Sequence, residues 1–422
     1  MKWLLPYQIS LLSFFTILNC MQTATAQNKS ADSLLYKLME KQAPLFEKIL
    51  EKNSSLGVQI IYTEIERGKK GKVRFTDHAF NLNDQQYFYP ASTVKLPVAI
   101  LALQKLNELK IAGLDKNTTM ITGANGDRQT EVCNDPSAAD GRPTIAHYIK
   151  KILLVSDNDA YNRLYEFLGQ EYIKTSLHNM GYTDVQIIHR LEISLTEEEN
   201  RHTNPVQFMD SAGKLIYAKP AEKSKLAYAE RDTKMGKGFL KAGELVNEPF
   251  DFSKKNRFPL TALHGVVKSI LFPQAVPEKM RFNLTAADYL FLQKYMSMVP
   301  RESVNPVYDR AIYGDNYVKF LLYGAAPTAA QPGIRIFNKP GDAYGFLIDG
   351  AYIADYNSNT EFMVSAVIYC NRDEIFNDDK YEYKTVGLPF MKNLGQLLHE
   401  YERTKVRKKA PAFSPQIIHY TD

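Results

Sequence analysis

Between Ser30 and Lys52 the apolar residues Leu34, Leu35, Leu38, Leu45, Ile49 and Leu50 recur at close to helical spacing, and Ala43-Pro44 predicts a break in that helix. The period then changes. Val58, Ile60 and Tyr62 alternate with a second face, and Gly68-Lys69-Lys70-Gly71 offers a turn before Val73 to Phe80, which predicts a β-hairpin. Helical patterns dominate from Thr93 to about Tyr182. Strand signals return at Ile334 to Phe337, Phe346 to Tyr356 and Phe362 to Tyr369, and a last helix is expected over Val386 to Tyr401. Residues 214–272 mix polarities, hold several Gly and Pro and have no clear period, so they are taken as an insertion.

Strands at both ends with helices between predict an α+β fold. In it, one antiparallel sheet is built from the two ends of the chain, flanked by N- and C-terminal helices, with a mostly helical subdomain inserted. The expected division is 27–95 with 330–405 for the sheet, 96–329 for the helical subdomain including the insertion, and 406–422 as a tail.

Composition changes this picture little: 45% hydrophobic and 23% charged residues are ordinary for a globular chain. A net charge of +5, without an aromatic-interleaved basic stripe, gives no reason to expect nucleic acid as a partner. The start of the chain does add something. Lys2, the apolar run Ile9 to Leu18 and Ala24-Thr25-Ala26 have the layout of a secretory signal peptide, with cleavage expected after Ala26. The apolar run is too short to span a bilayer of ~30 Å. The expectation is a periplasmic or secreted protein without a membrane span, with a lipid anchor on Cys20 as the alternative. Cys133 and Cys370 are the only cysteines beyond that segment, and sequence does not say whether they pair. The eight histidines are scattered, with no CxxC or HExxH, so neither a metal nor another cofactor is expected.

Candidate chemistry sits in three short boxes. In "YPASTVKLPV", Ser92 and Lys95 stand three residues apart where an extended stretch becomes an apolar run. If Ser92 caps a helix from Thr93 to about Leu109, Lys95 lies one turn on, on the same face, at the mouth of a buried helix. Desolvation there lowers an ammonium pKa and makes the amine a proton acceptor for a serine hydroxyl. "LLVSDNDAYN" holds Ser156, Asp157 and Asn158 after an apolar stretch. "IRIFNKPGDAYGF" places Lys339 and Gly341 at the end of a short strand. Each box alone is weak, and their order carries the information.

In that order, Ser92-Thr93-Val94-Lys95, Ser156-Asp157-Asn158 and Lys339-Pro340-Gly341 resemble the S-x-x-K, S-D-N and K-T-G motifs of the class A serine β-lactamases and the related penicillin-binding proteins. "LHNMGY", Leu177 to Tyr182, also resembles a helix end of class A enzymes. The resemblance implies a β-lactamase/transpeptidase-like fold and a serine hydrolase that opens a cyclic amide through an acyl-enzyme. It casts Ser92 as nucleophile, Lys95 as proton acceptor and Ser156 as proton donor to the leaving nitrogen. Asn158 and Lys339 would hold the substrate amide and carboxylate. The backbone N–H groups of Ser92 and Asp342, beside Gly341, would form the oxyanion hole. The implied partner is a small-molecule β-lactam or a peptidoglycan peptide, met by a monomer.

Two departures qualify the resemblance. Pro340 replaces the hydroxyl residue of the third box, and proline suits an edge strand. The deacylating glutamate of class A enzymes is normally followed four residues later by asparagine, but Thr196 stands four before Asn200. Glu192, Glu197, Glu198 and Glu199 all stay open for that role. A β-lactam hydrolase is favoured, with a D-alanyl-D-alanine peptidase or a non-catalytic envelope-binding protein as alternatives.

Overall fold

Five strands form the central sheet, and four of them are largely buried on both faces. Strands β1 (Gln59–Arg67) and β2 (Val73–Phe80) come from early in the chain. Strands β3 (Ile334–Ala343), β4 (Phe346–Asp355) and β5 (Thr360–Tyr369) come from its last quarter. They form one antiparallel sheet in the order β3-β4-β5-β1-β2, with Ile60 paired to Ala366 and Arg67 to Val73. The structure is a computed structural model that describes residues 33–51, 54–69, 72–126, 128–324 and 329–407. The expected leader with Cys20, residues Lys70 and Gly71 of the expected turn, and residues 408–422 of the expected tail lie outside the described residues.

The sheet separates two hydrophobic clusters. Ile61, Ile65, Ile348, Met363 and Val367 face one of them, while Ile60, Tyr62, Ile353, Val364 and Ala366 face the other. Burial on both sides explains why these strands read as near-continuous apolar runs. Helices Ser33–Glu40, Ala43–Leu50 and Leu388–Arg403 cover the second face. The expected break near Ala43-Pro44 falls at Lys41-Gln42, with Pro44 in the first turn of the second helix, where a missing N–H costs nothing.

On the first face lies helix Lys95–Leu109, packed against helices Ile145–Val155 and Asn158–Leu168. Helix Leu260–Leu271 packs on β1, β4 and β5, inside the stretch expected to be aperiodic. Its residues Leu260, Leu263, His264, Val267, Ser269 and Ile270 are buried, and a narrow stripe of Thr261, Gly265 and Lys268 is partly exposed. Gly350 on β4 makes the contact possible, since a Cβ there would come within 2.7 Å of Leu263 Cγ. The remainder of the insertion is short strands. Leu215–Lys219 pairs with Val206–Met209, and Gly238–Lys241 pairs with Glu244–Val246 and Ile375–Phe376, which ties the insertion to the chain just after β5. Among the described residues no helix is long and apolar enough to cross a membrane. Cys133 is exposed, Cys370 is buried, and both are free thiols.

Candidate active site

The serine box departs from the expected helix cap. Ala91–Val94 is one turn of 3-10 helix that runs directly into Lys95–Leu109, and Ser92 lies inside that turn. The turn is fastened by Thr93, whose Oγ1 donates to Pro90 O at 2.6 Å, and by the Lys95 N–H, which donates to the carbonyls of Ser92 and Thr93. Continuous helical bonding therefore does the work of a cap, and the half-buried Ser92 hydroxyl is not used for it. Ala91 has φ of 47°, a conformation that costs a non-glycine residue about 1–3 kcal/mol and is typically held by surrounding packing at functional sites. Tyr89, two residues earlier, is buried. Its ring meets His189 at 6.1 Å, Phe252 at 6.1 Å and Tyr344 at 4.9 Å between centroids.

Lys95 is fully buried, and the second box receives its ammonium. Nζ donates to the Ser156 carbonyl, to Ser156 Oγ at 3.2 Å and to Asn158 Oδ1 at 2.6 Å. Ser156 can meet it because it ends helix Ile145–Val155 in the left-handed region, with φ of 59°. Asp157 then caps the next helix, accepting from Ala160 N at 2.7 Å. Burial and the charge of Lys339 hold the Lys95 pKa well below that of an ordinary lysine, while Asp157, Asp342 and Glu192 pull it the other way. A shift in this direction favours the neutral amine, the form that can accept a proton.

From the opposite side Lys339, also fully buried, donates to Ser156 Oγ at 2.9 Å and to Pro340 O at 2.7 Å. Two lysines thus converge on one serine hydroxyl. Burial brings Lys339 down to about 7, against the opposing charges of Asp349 and Asp342. The strand that carries it, β3, is an edge strand, where Pro340 is paired with Asp349. Gly341 abuts the serine turn, because a Cβ on it would lie 2.6 Å from Ser92 N and 2.9 Å from Thr93 N. Asp342 reaches the surface at the strand's end. Crowding by protein raises its carboxyl pKa, and Lys339 and Lys95 oppose the rise.

Below Lys339 runs a buried network absent from the sequence expectations. Asn338 Nδ2 donates to both oxygens of Asp349 at 2.9 Å, and Asn338 Oδ1 accepts from Lys319 Nζ at 2.8 Å. Burial lifts Asp349 to about 6 and lowers Lys319 to about 7. The one signal in the sequence was a carboxylate, Asp349, in the otherwise apolar "FLIDGAYIA".

Of the four open glutamates, the fold brings Glu192 to these residues. Asn158 Nδ2 donates to Glu192 Oε2 at 2.5 Å, so Lys95, Asn158 and Glu192 form one hydrogen-bonded chain. Glu192 has φ of 60° and is exposed. Its neighbours are pinned: Leu191 N donates to Asn162 Oδ1 at 2.9 Å, and Arg190 N donates to Asn200 Oδ1 at 2.9 Å.

Residues 46–229 match the model of the Beta-lactamase enzyme family. Over these residues the chain is similar to that family. Within the β-lactamase match fall Ser92, Lys95, Ser156, Asn158 and Glu192, while Lys339, Gly341 and Asp342 lie beyond it and join them through the contacts described above. Among solved structures the chain is similar to a β-lactamase from Xanthomonas campestris pv. campestris, at 13% identity over 86% of this chain and 97% of that one, with a TM-score of 0.46. A class A β-lactamase from Clostridium kluyveri is similar at 13% identity over 86% and 98%, with a TM-score of 0.45. A β-lactamase from Streptomyces albus G is similar at 10% identity over 86% and 99%, with a TM-score of 0.44. No curated protein matches the sequence.

The other three glutamates have partners of their own. Glu197 pairs with Arg201 at 2.9 Å, Glu198 with His202 at 3.1 Å, and Glu199 closes a capping box with Thr196 and reaches Arg128 at 3.1 Å. Four residues beyond Glu192 stands Thr196, not asparagine.

Proposed function

We propose that the protein is an exported serine hydrolase of the class A β-lactamase type, opening the β-lactam amide through an acyl-enzyme on Ser92. The observation that carries this reading is the convergence of Lys95 and Lys339 on Ser156 Oγ, with the Lys95 amine kept weakly basic by burial. Lys95 takes the proton of Ser92 as Oγ attacks the carbonyl carbon, and the C–N bond breaks while Ser156 passes a proton to the leaving nitrogen. The N–H groups of Ser92 and Asp342 hold the oxyanion, each worth about 3–4 kcal/mol in such sites. Lys339 attracts the substrate carboxylate. Glu192 then takes a proton from the water that attacks the ester carbon, and Ser92 Oγ leaves with a proton returned. The hydrogen-bonded path from Lys95 through Asn158 to Glu192 supports that assignment.

A penicillin-binding peptidase that releases the antibiotic slowly is the second reading, favoured by Thr196 where class A enzymes carry asparagine. Intact mass of the purified protein with a penicillin, followed over time and mapped to peptides, separates the readings. A hydrolase gives a transient adduct on Ser92 with product accumulating, and a peptidase gives a lasting adduct. No adduct, or undiminished turnover by Ser92→Ala, removes Ser92 as nucleophile. Sequencing of the native N-terminus tests export: a start near Gln27 supports it, and a retained leader or a lipid on Cys20 overturns the soluble form.

A further inference from the structure

The loop that carries Glu192 covers a cavity of about 180 Å3, lined by His189 and Arg190 from the loop and by Tyr228, Lys254 and Lys255 from the inserted segment. Three of these side chains have unspent polar capacity. Arg190 is 5% exposed, and its Nε donates to Glu166 Oε1 at 3.0 Å and its Nη2 to His202 O at 2.8 Å, yet buried Nη1 has no partner. His189 Nδ1 lies 2.6 Å from the Arg190 carbonyl, so Nδ1 carries the hydrogen. Burial holds its ring down to about 4, so the ring is neutral and its buried, unpartnered Nε2 is a bare acceptor. Lys255 has no ion pair among the described residues; its Nζ lies 5.7 Å from the Phe250 ring centre, and burial lowers its pKa. The carboxylate that lines the cavity, Glu197, is engaged with Arg201 at 2.9 Å and Lys254 at 3.8 Å.

Two cationic donors and one acceptor lone pair on a single cavity select a particular chemistry. A buried polar atom without a partner is costly, so an occupant that satisfies Arg190 Nη1 and His189 Nε2 is favoured. We infer that this cavity binds a small oxyanion that still carries one O–H, the chemistry shared by hydrogen phosphate and bicarbonate. The O–H donates to His189 Nε2, and the bare oxygens accept from Arg190 Nη1 and Lys255 Nζ. Acetate has the charge without the O–H, and chloride has charge alone. The occupant joins the loop, two residues before Glu192, to the inserted segment. This binding stands apart from the hydrolase reading, because it involves neither Ser92 nor a β-lactam.

The test is melting and calorimetric titration of the full chain at pH 7.5 in inorganic phosphate, bicarbonate, acetate and chloride of equal ionic strength. Phosphate or bicarbonate, or both, raises Tm and binds, identifying the source, while acetate and chloride do neither. Lys255→Met weakens that binding at least tenfold and melts no lower than the parent without anion, since this half-buried lysine has no ion pair among the described residues to lose. Equal melting in all four salts, or full binding by Lys255→Met, overturns the inference. A crystal structure grown in phosphate serves if that variant does not fold: an oxyanion on Arg190, His189 and Lys255 supports the site, and waters only in the cavity overturn it.

Discussion

Gly341 and Ser92 touch backbone to backbone: a β-carbon on Gly341 would fall 2.6 Å from the Ser92 nitrogen. The third box is therefore fitted to the first by the absence of a side chain. Gly341→Ala forces β3 and the serine turn apart, and overpacking of this kind costs about 1–3 kcal/mol. The expected outcome is a lower Tm together with a fall in acylation rate, measured by thermal melting and by the rate of penicillin adduct formation. Wild-type acylation by the variant would show that the two N–H groups are not set by this contact.

Glu192 is tied to Lys95 through Asn158, with hydrogen bonds of 2.5 and 2.6 Å. Glu192→Gln keeps the shape and removes the base. Acylation is expected to continue while deacylation slows by about 10²–10⁴-fold, the usual contribution of a general base. The acyl-enzyme then accumulates in time-resolved intact mass. Glu197→Gln, by contrast, leaves turnover unchanged. Equal deacylation by the two variants would move the base elsewhere.

Lys339 titrates near 7, because burial penalises its charge more than Asp349 and Asp342 support it. Below pH 7 the ammonium is intact and can attract a substrate carboxylate; above it the charge is lost. KM for penicillins is therefore expected to rise with pH above about 7, approaching tenfold per unit, in steady-state kinetics from pH 6 to 9. A flat KM over that range means that the group stays cationic or does not hold the carboxylate.

Pro340 leaves carboxylate recognition to a lysine, a point charge with little directional control. Such attraction is screened over ~8–10 Å at physiological salt. Pro340→Thr restores a hydroxyl on an edge strand that accepts the change. A lower KM, weaker salt dependence and a smaller change in kcat are expected, since a contact equal in ground and transition states alters binding alone. If KM and its salt dependence do not move, residue 340 does not face the carboxylate.

The sequence by itself determined the sheet and the three boxes, since both are local patterns. β1, β2 and the three late strands are period-2 or continuous apolar runs bounded by turn residues, and the boxes are recognised by residue type and order. Other features depended on packing between remote segments. Whether Ser92 caps a helix depended on the 3-10 turn Ala91–Val94, which runs directly into the helix that follows. Helix Leu260–Leu271 was hard to read because its exposed stripe is narrow, Thr261, Gly265 and Lys268, and two buried polar residues, His264 and Ser269, interrupt its apolar face. The contact of Glu192, rather than its three neighbours, with Asn158 depended on a left-handed backbone and on Asn162 and Asn200, which pin the loop, while the others form surface ion pairs. The depressed pKa values of Lys95 and Lys339 have the same origin. A lysine's charge is set by the water it loses, and that loss exists only once the two ends of the chain close on the helices between them.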